Sequence, residues 1–357
     1  WSTTGAIVGT FATGFVLISG MGAFRTLLLA ALLAGLASML VINVWKRPAL
    51  LYTLSIVGGC TVGGMILLTR SSSSITRESN YYTIQVVTDR IDPMLKYLQL
   101  DLLLHSAVQL DDPTFLYYRH EEVQIEFLRV AAAQHKSPRA LVIGGGGYTF
   151  PRVARMMVPE SKIEVVEIDP GVTAVAYEHL ALDPGLGIIS YHMDGRQFVA
   201  ERAEAGQYHL VTLDAVNDLS VPAHLLTVEF NEAVKRTLAP DGVYLLTVID
   251  DLVKGRLWRA AVHTLRKSYS HVTLLSADYG FPEDSRSVYL IYASTVPFNL
   301  EQFQTQLVAE GIELPVVRAL PVEDFERWLN LLPPVVLTDQ YAPVDNMMSE
   351  VFRHRDE

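Results

Sequence analysis

The stretch RALVIGGGG, residues 139–147, decides the fold. Residues 140–143 are a short apolar run of the kind that forms a buried strand of a parallel sheet. The run leads directly into glycines, which lack side chains and so allow a tight turn and a close approach of a nucleoside to the backbone. The stretch therefore predicts a strand followed by a nucleotide-binding loop, with Gly144, Gly145 and Gly146 as cofactor contacts.

The chain after this loop alternates short apolar runs with helical stretches. Such alternation predicts an α/β fold, a Rossmann-like, methyltransferase-type parallel sheet with helices on both faces. Ligands of such sheets bind at the carboxyl ends of the strands. The predicted strands are residues 140–143, 163–168, 187–192, 208–213 and 243–249, with 271–275 and 288–292 as possible last strands.

Acidic residues follow the next two strands at positions suited to an adenosyl group. Glu167 ends the second strand, about 20 residues after the glycines, where an acid accepts hydrogen bonds from ribose hydroxyls. A dinucleotide fingerprint would need a further glycine at Thr149 or Phe150, which disfavours NAD. Asp194 can accept from an adenine amino group, and Gly195 beside it is predicted as a further cofactor contact. The alternatives are a solvated strand end for Glu167 and a helix N-cap for Asp194.

Asp214 closes the fourth predicted strand, at the edge where a bound nucleotide would place its reacting carbon. A carboxylate there can hold an ammonium group or take the proton that a nucleophilic amine must lose. The alternative is an aspartate that caps a turn. The histidines, His120 and His224 among them, lack HExxH or paired spacing, so we expect no metal and interpret most of them as surface or packing residues.

The chain before residue 70 is almost free of charge. Its apolar runs, 5–18, 27–44 and 49–68, each approach with their flanks the roughly 20 residues that a helix needs to cross a bilayer. We therefore predict three transmembrane helices in residues 1–70. This predicts an integral protein of the inner or plasma membrane, with its soluble domain in the cytoplasm. Small residues four apart, as at Gly5 and Gly9, predict packing against other membrane helices or subunits. The alternative is that glycine is simply frequent in membrane helices.

The remaining chain divides by composition. Residues 71–77 include a serine run and are predicted to be a linker. Residues 78–138 are rich in β-branched and aromatic residues and become helical at 115–134, which predicts a small β subdomain with a connecting helix. The S-adenosyl-nucleotide-binding α/β domain is then predicted at 139–295, and a C-terminal extension at 296–357.

Charge and cysteine content exclude other classes of protein. The net charge of −11 disfavours nucleic acid as a partner and weakly favours a cationic substrate. The chain has one cysteine, Cys60, so neither a disulfide framework nor a thiolate metal site can be built from it.

Several motifs together resemble the spermidine synthase family and, more closely, its membrane-fused bacterial branch. They are ESNY at 78–81, LVIGGGG at 141–147, VEID at 166–169, DGR at 194–196, LD at 213–214 and VPAHLLT at 221–227. LTDQYAPVD at 337–345 resembles the C-terminal signature of the fused branch. The resemblance covers the chain from about Glu78 to the last strand.

The resemblance implies a reaction and roles for individual residues. Members of this family are transferases that move an aminopropyl group from decarboxylated S-adenosylmethionine to a diamine and release methylthioadenosine. By resemblance, Glu167 holds the ribose, Asp194 the adenine and Asp214 the attacking amine. The residues implied for the substrate side are Tyr118, Asp218 and Tyr341.

The chain departs from the family pattern in several places. Gly147 stands where the family has an acid that contacts the donor's amino group, which relaxes the preference for the decarboxylated donor. Tyr82 replaces a glutamine, and the second acid of the substrate site is displaced, with Asn217 in its place and Asp218 one residue on. Two alternatives stay open: a methyltransferase-like enzyme that uses intact S-adenosylmethionine, and a catalytically inactive subunit of a membrane complex.

Overall fold

The computed structural model describes residues 2–42, 58–59, 74–216, 222–277, 280–283 and 285–353. The chain divides into two compact units, Trp1–Thr88 and Asp89–Glu357. The first unit holds the apolar N-terminal segment, and the second holds the α/β domain.

The first unit begins with a long helical segment. Helix α1 (Ser2–Ala12) continues through a π-helical turn (Thr13–Leu17) into helix α2 (Ile18–Ile42). The backbone leaves helical geometry at Gly22, where φ is 84°. This departure lies between the predicted membrane runs 5–18 and 27–44. Glycine adopts positive φ there without the steric cost of a side chain.

The helical segment is long and apolar enough to cross a membrane. Within Thr3–Gly35, an 18-residue window has a mean hydropathy of 1.9, and 6% of that window is buried. The predicted membrane run 5–18 lies within this stretch, and the run 27–44 begins in α2. The third predicted run, 49–68, lies outside the described residues except for 58–59.

Antiparallel strands β1 (Ile75–Glu78) and β2 (Thr83–Thr88) end the first unit. Strand β1 begins inside the predicted linker, 71–77. The Ser79 hydroxyl accepts hydrogen bonds from the backbone N–H groups of Tyr81 and Tyr82, at 3.0 and 2.9 Å. The ESNY motif therefore forms the turn between the two strands.

The second unit opens with strands β3 (Leu95–Leu100) and β4 (Leu103–Gln109), which pair antiparallel with a bulge after Leu98. Helix α3 (Arg119–Gln134) follows and leads into the main sheet. This helix begins beside the residues that become the candidate active site, so its first turn matters below.

Among the described residues, eight strands form the main sheet. They are β5 (Arg139–Ile143), β6 (Lys162–Val166), β7 (Ile189–Tyr191), β8 (Tyr208–Leu213), β9 (Leu238–Asp251), β10 (His271–Ser276), β11 (Arg286–Ser294) and β12 (Arg318–Ala319). Their order is β12-β10-β11-β9-β8-β5-β6-β7. Strands β9, β8, β5, β6 and β7 pair parallel, which confirms the predicted α/β class.

The end of the sheet differs from the predicted parallel arrangement. Strand β11 pairs antiparallel with β9, and β10 pairs antiparallel with β11 and β12. A parallel connection needs a crossover of about a dozen residues or more, usually a helix. Only residues 277–285 separate β10 from β11, so these strands connect as a hairpin and the sheet is mixed.

Helices cover both faces of the sheet, as predicted. After α3 they are α4 (Thr149–Met157), α5 (Pro170–His179), α6 (Gly195–Glu201), α7 (Val228–Thr237), α8 (Leu257–Leu265), α9 (Leu300–Ala309), α10 (Val322–Leu329) and α11 (Val344–Arg353). On β11, Ile291 belongs to the same buried cluster as Trp258 of α8. The next residue, Tyr292, instead lies 5.9 Å from the Phe127 ring of α3. Successive strand side chains point to opposite faces, so α3 and α8 lie on opposite sides of the sheet.

Candidate active site

The glycine loop adopts a backbone that only residues without side chains accept readily. Gly144 and Gly146 have φ values of 101° and 48°. A Cβ atom at Gly144 would lie 2.2 Å from the carbonyl oxygen of Asp214. The loop after β5 is therefore packed directly against the end of β8, which places the two predicted halves of the site side by side.

Glu167 holds this loop. Its Oε2 atom accepts hydrogen bonds from the N–H groups of Gly145 and Gly146, at 2.8 and 3.3 Å, and Oε1 accepts from Asp169 at 3.0 Å. Burial raises the pKa of Glu167 although these backbone bonds pull it down. A carboxylate has about four acceptor positions. About one acceptor position of Glu167 is therefore left for a ribose hydroxyl. The predicted ribose role of this residue stays a prediction.

Asp194 caps a helix and contacts a histidine. Its Oδ1 accepts from the backbone N–H groups of Arg196 and Gln197, at 2.9 and 3.0 Å, which makes it the N-cap of α6. Its Oδ2 lies 2.8 Å from Nε2 of His224. Oδ1 of Asp194 thus serves as the N-cap, which was the alternative interpretation of this residue. The predicted adenine contact would involve Oδ2.

Gly195 also occupies a tight place, since a Cβ atom there would lie 2.5 Å from Cγ2 of Ile143. The loop after β7 therefore approaches the end of β5 closely. The cofactor role predicted for Gly195 is compatible with this position and stays a prediction.

The Asp194 loop is tied to the C-terminal segment by residues that the sequence analysis did not identify. The Arg196 guanidinium forms a bidentate ion pair with Asp339, with Nη1 to Oδ1 at 2.6 Å, and also donates to the carbonyl oxygen of His224 at 3.2 Å. Thr227 donates to the same carboxylate at 2.8 Å. The LTDQYAPVD motif therefore supports the Asp194 loop from outside.

Asp214 pairs with His120, a partner that the sequence analysis did not identify. Its Oδ2 lies 2.8 Å from Nε2 of His120, and the two residues are 94 positions apart in the chain. Burial lowers the pKa of His120, but the charge and hydrogen bond of Asp214, with Glu121 nearby, raise it by more. The imidazole is therefore biased toward its cationic form.

Tyr118 lies beside this pair. Its ring is 5.7 Å from the His120 ring, centroid to centroid, and its hydroxyl donates to the carbonyl oxygen of Leu104 at 3.0 Å. Burial raises the pKa of Tyr118 to about 12, so the phenol is neutral at physiological pH. The structure brings this predicted substrate-side residue next to Asp214.

Glu121 connects the same helix turn to the glycine loop. Its Oε1 accepts from the Thr149 hydroxyl and from the Phe150 N–H group, the latter at 3.2 Å, and so caps the first turn of α4. Its Oε2 is buried and takes no hydrogen bond from the described residues. Burial raises the pKa of Glu121. The start of α3 thus holds Asp214 through one residue and the helix after the glycine loop through the next.

Gly147 has no room for a side chain. Its N–H group donates to the Ser106 hydroxyl at 2.9 Å, and a Cβ atom there would lie 2.6 Å from Cβ of Ser106. Strand β4 therefore fills the space beside the loop. Gly147 stands where the family has an acid, and Ser106 beside it leaves no space for a larger residue.

The other predicted substrate residues lie elsewhere or outside the described chain. Tyr341 is 60% exposed and lines a cavity of about 390 Å³ together with Arg259 and Met347. The lining of this cavity contains none of the acids discussed above. Asp218 lies outside the described residues. Both assignments stay predictions. Within the described part of the chain, no group of three or more histidine, cysteine or acidic residues could hold a metal ion.

The main sheet has five parallel strands, and one of its edges holds the glycine loop, an acid after the second of these strands and an acid after the fourth. These features define a methyltransferase-like α/β domain. The crystal structure of a probable spermidine synthase from Corynebacterium glutamicum ATCC 13032 has this fold. It superimposes with a TM-score of 0.64 at 18% identity, over 77% of this chain and 99% of that one.

Sequence comparison finds a matching domain model and similar proteins. Residues 123–276 match the family model described as the spermine/spermidine synthase domain. The polyamine aminopropyltransferase of Vibrio vulnificus strain CMCP6 is 27% identical over 216 residues, which are 59% of this chain and 70% of that protein. Putrescine N-methyltransferase 1 of Nicotiana tabacum is 32% identical over 114 residues, 30% of each chain. Residues 123–276 therefore carry a spermine/spermidine synthase domain, in agreement with the motifs, and the named relatives are transferases.

Proposed function

We propose that the protein transfers an aminopropyl group from decarboxylated S-adenosylmethionine to a small amine. The observation that carries this proposal is the position of Asp214, whose backbone touches the glycine loop while its carboxylate pairs with a buried histidine. This arrangement supports an acid placed beside the reacting carbon of a donor whose nucleoside lies on the glycine loop. The name of the Vibrio vulnificus relative agrees with this activity.

The proposed step is a direct displacement. The lone pair of the amine nitrogen forms a bond to the donor carbon attached to the sulfonium, and the carbon–sulfur bond breaks. Its electron pair goes to sulfur, which leaves as neutral methylthioadenosine. The attacking amine must first lose a proton, and Asp214 would accept it and pass it to water. The buried phenol of Tyr118 would line this site as a neutral group.

A second candidate is transfer of a methyl group from intact S-adenosylmethionine to an amine. Gly147 favours it, because the loop carries no acid there that would repel the carboxylate of the intact donor. The match to the tobacco putrescine N-methyltransferase also favours it. The two reactions leave different products, methylthioadenosine for the first and S-adenosylhomocysteine for the second.

The experiment uses the full chain in detergent with each donor and a panel of diamines, and both products are measured. Wild-type protein should release methylthioadenosine, and Asp214→Asn should lower kcat by about 10²- to 10⁴-fold, the usual value of general-base assistance. Its affinity for methylthioadenosine should change little. S-adenosylhomocysteine as the sole product would support the second candidate, and neither product with any amine would support the inactive subunit.

The chain offers a matched control for this substitution. Asp241 pairs with His135 at 2.7 Å, a distance close to that of Asp214 and His120, but with side chains 40% and 32% exposed. Asp241→Asn should leave turnover unchanged. An equal loss of activity in both variants would remove Asp214 from the mechanism.

We also propose that the N-terminal helical segment anchors the protein in the inner or plasma membrane, with the α/β domain on the cytoplasmic side. Large apolar residues of this segment are exposed, such as Phe11 at 61%, Phe15 at 74% and Leu27 at 70%. Exposed apolar surface of this extent is costly in water. The full chain should therefore stay with membranes after an alkaline carbonate wash, and recovery in the supernatant would contradict the anchor.

A further inference from the structure

We propose that His120 is a positioning residue for amine transfer, which turns one oxygen of Asp214 toward the acceptor by holding the other. This inference rests on the proposed function. The imidazole Nε2 lies 2.8 Å from Oδ2 of Asp214. The His120 side chain is 10% exposed and that of Asp214 is 29% exposed. The histidine therefore lies behind the acid, and the carboxylate keeps an accessible side.

The backbone of Asp214 leaves the histidine as the group that sets the orientation of the side chain. The Asp214 N–H group donates to the carbonyl oxygen of Ile143 at 2.9 Å, and its own carbonyl oxygen lies against Gly144. The main chain is thus fixed from the neighbouring strand and loop. Within the described residues, the hydrogen bond recorded for this carboxylate is the one to His120, so Oδ1 is available to an ammonium group.

His120 is itself held in place. It is the second residue of α3, its ring packs against Tyr118, and the next residue, Glu121, bonds to the first turn of α4. A side chain anchored in this way can orient its partner without paying for its own ordering. Misplacing a catalytic group by about 1 Å can cost about 100-fold in rate.

The charge of His120 also affects amine binding. The titratable groups that face it are Asp214 at the end of β8, and Tyr118 and Glu121 at the start of α3. The cationic imidazole makes the pair with Asp214 neutral, whereas the neutral imidazole leaves a net negative charge that attracts an ammonium group. Amine use should therefore rise with pH through the raised pKa of His120. The Nε2–H donor is kept in both states if the neutral ring holds its proton on Nε2.

Two substitutions separate positioning from packing. His120→Phe keeps an aromatic ring and removes the donor, whereas His120→Gln keeps an N–H donor and removes the ionisation. We expect His120→Phe to lower kcat/KM for the amine by about 10- to 100-fold. Methylthioadenosine affinity should stay within twofold of wild type. His120→Gln should recover most of the rate at high pH and lose the ionisation from the pH profile.

His135→Phe, at the exposed pair with Asp241, is the control and should leave rate and pH profile unchanged. The inference is overturned if His120→Phe retains wild-type kcat/KM, or if it loses methylthioadenosine affinity as strongly as rate. A pH profile of His120→Gln identical to that of wild type would overturn the role of the imidazole charge.

A second measurement does not depend on turnover. Exchange of the imidazole C2 hydrogen, followed by mass spectrometry of the full chain in detergent, reports the pKa of each histidine. The pKa of His120 should fall in Asp214→Asn and stay unchanged in Asp241→Asn. An unchanged pKa of His120 would refute the pairing even if transfer occurs. A fall in pKa without any methylthioadenosine from wild type would instead refute the proposed function and leave the pairing standing.

Discussion

Removing the Glu167 carboxylate should loosen the glycine loop, because the carboxylate accepts hydrogen bonds from the loop directly. This side chain accepts hydrogen bonds from the N–H groups of Gly145, Gly146 and Asp169, and both of its oxygens are used. Glu167→Gln cannot replace it, because an amide has an acceptor on one side and a donor on the other. One backbone N–H group would then face another donor. Glu167→Ala removes all three bonds.

The size of the effect follows from these bonds. Two of them are 3.0 Å or shorter and one is 3.3 Å, so the loss is dominated by two buried donors. A buried donor left unpaired costs about 1–3 kcal/mol. The raised pKa shows that burial of the charge opposes these bonds, so we expect a net loss of about 2 kcal/mol for the alanine variant. That corresponds to about 30-fold weaker binding of an adenosyl ligand that needs the ordered loop.

Two measurements test this expectation on the full chain in detergent. Calorimetry gives the affinity for methylthioadenosine, and amide hydrogen exchange gives the protection of Gly145 and Gly146. Both should fall in Glu167→Ala and Glu167→Gln. Glu160→Gln, at an exposed acid before β6, should change neither. Unchanged exchange at the two glycines in Glu167→Ala would refute the reasoning, whatever happens to affinity.

Three further substitutions test the surroundings of the site. Glu121→Ala should lower stability by about 1 kcal/mol through loss of the α4 cap, measured by denaturant unfolding. Glu121→Gln should gain stability over wild type at neutral pH, because an acid whose folded pKa is raised destabilises the fold above that pKa. This gain should shrink as the pH falls below the folded pKa and vanish below the ordinary pKa of glutamate. Asp339→Asn should weaken methylthioadenosine binding. It should cost less than about 1 kcal/mol of stability, since the pair of Asp339 with Arg196 is half-exposed. Glu326→Gln, at a similarly exposed arginine pair, should leave binding unchanged. Gly147→Ala should destabilise the chain by about 1–3 kcal/mol, and the same unfolding assay should show rescue by Ser106→Gly.

The sequence predicts the central strands because local patterns define them. Short apolar runs followed by glycine or acidic residues identify the parallel strands up to β9, and the structure has a strand at each of these places. The direction of the last strands could not be predicted in this way. Whether β10 and β11 run parallel or antiparallel depends on the length of the connection between them. The predicted strands 271–275 and 288–292 leave about a dozen residues, which is near the least that a parallel crossover needs.

The candidate site divides in the same manner. The glycine loop and the acids Glu167 and Asp214 follow from their positions at strand ends, and the structure brings them to one edge of the sheet. Their partners do not follow from position. His120 lies 94 residues from Asp214, and Asp339 lies 143 residues from Arg196. Such pairs are set by the packing of helices and of the C-terminal segment on the sheet, which no local spacing encodes.

Donor selection depends on more than the missing acid at Gly147. Ser106 fills the adjacent space and accepts a hydrogen bond from the Gly147 N–H group. This point of the loop therefore offers the donor substrate neither an acid nor a free N–H group. Under the proposed aminopropyl transfer, discrimination against the carboxylate of intact S-adenosylmethionine would come from the acids near the reacting carbon. With an effective dielectric constant of about 20, two like charges about 6 Å apart repel by about 3 kcal/mol. Asp214 could supply that repulsion while His120 is neutral, and a cationic His120 would cancel it. The same pair would therefore govern both the binding of the amine and the choice of donor.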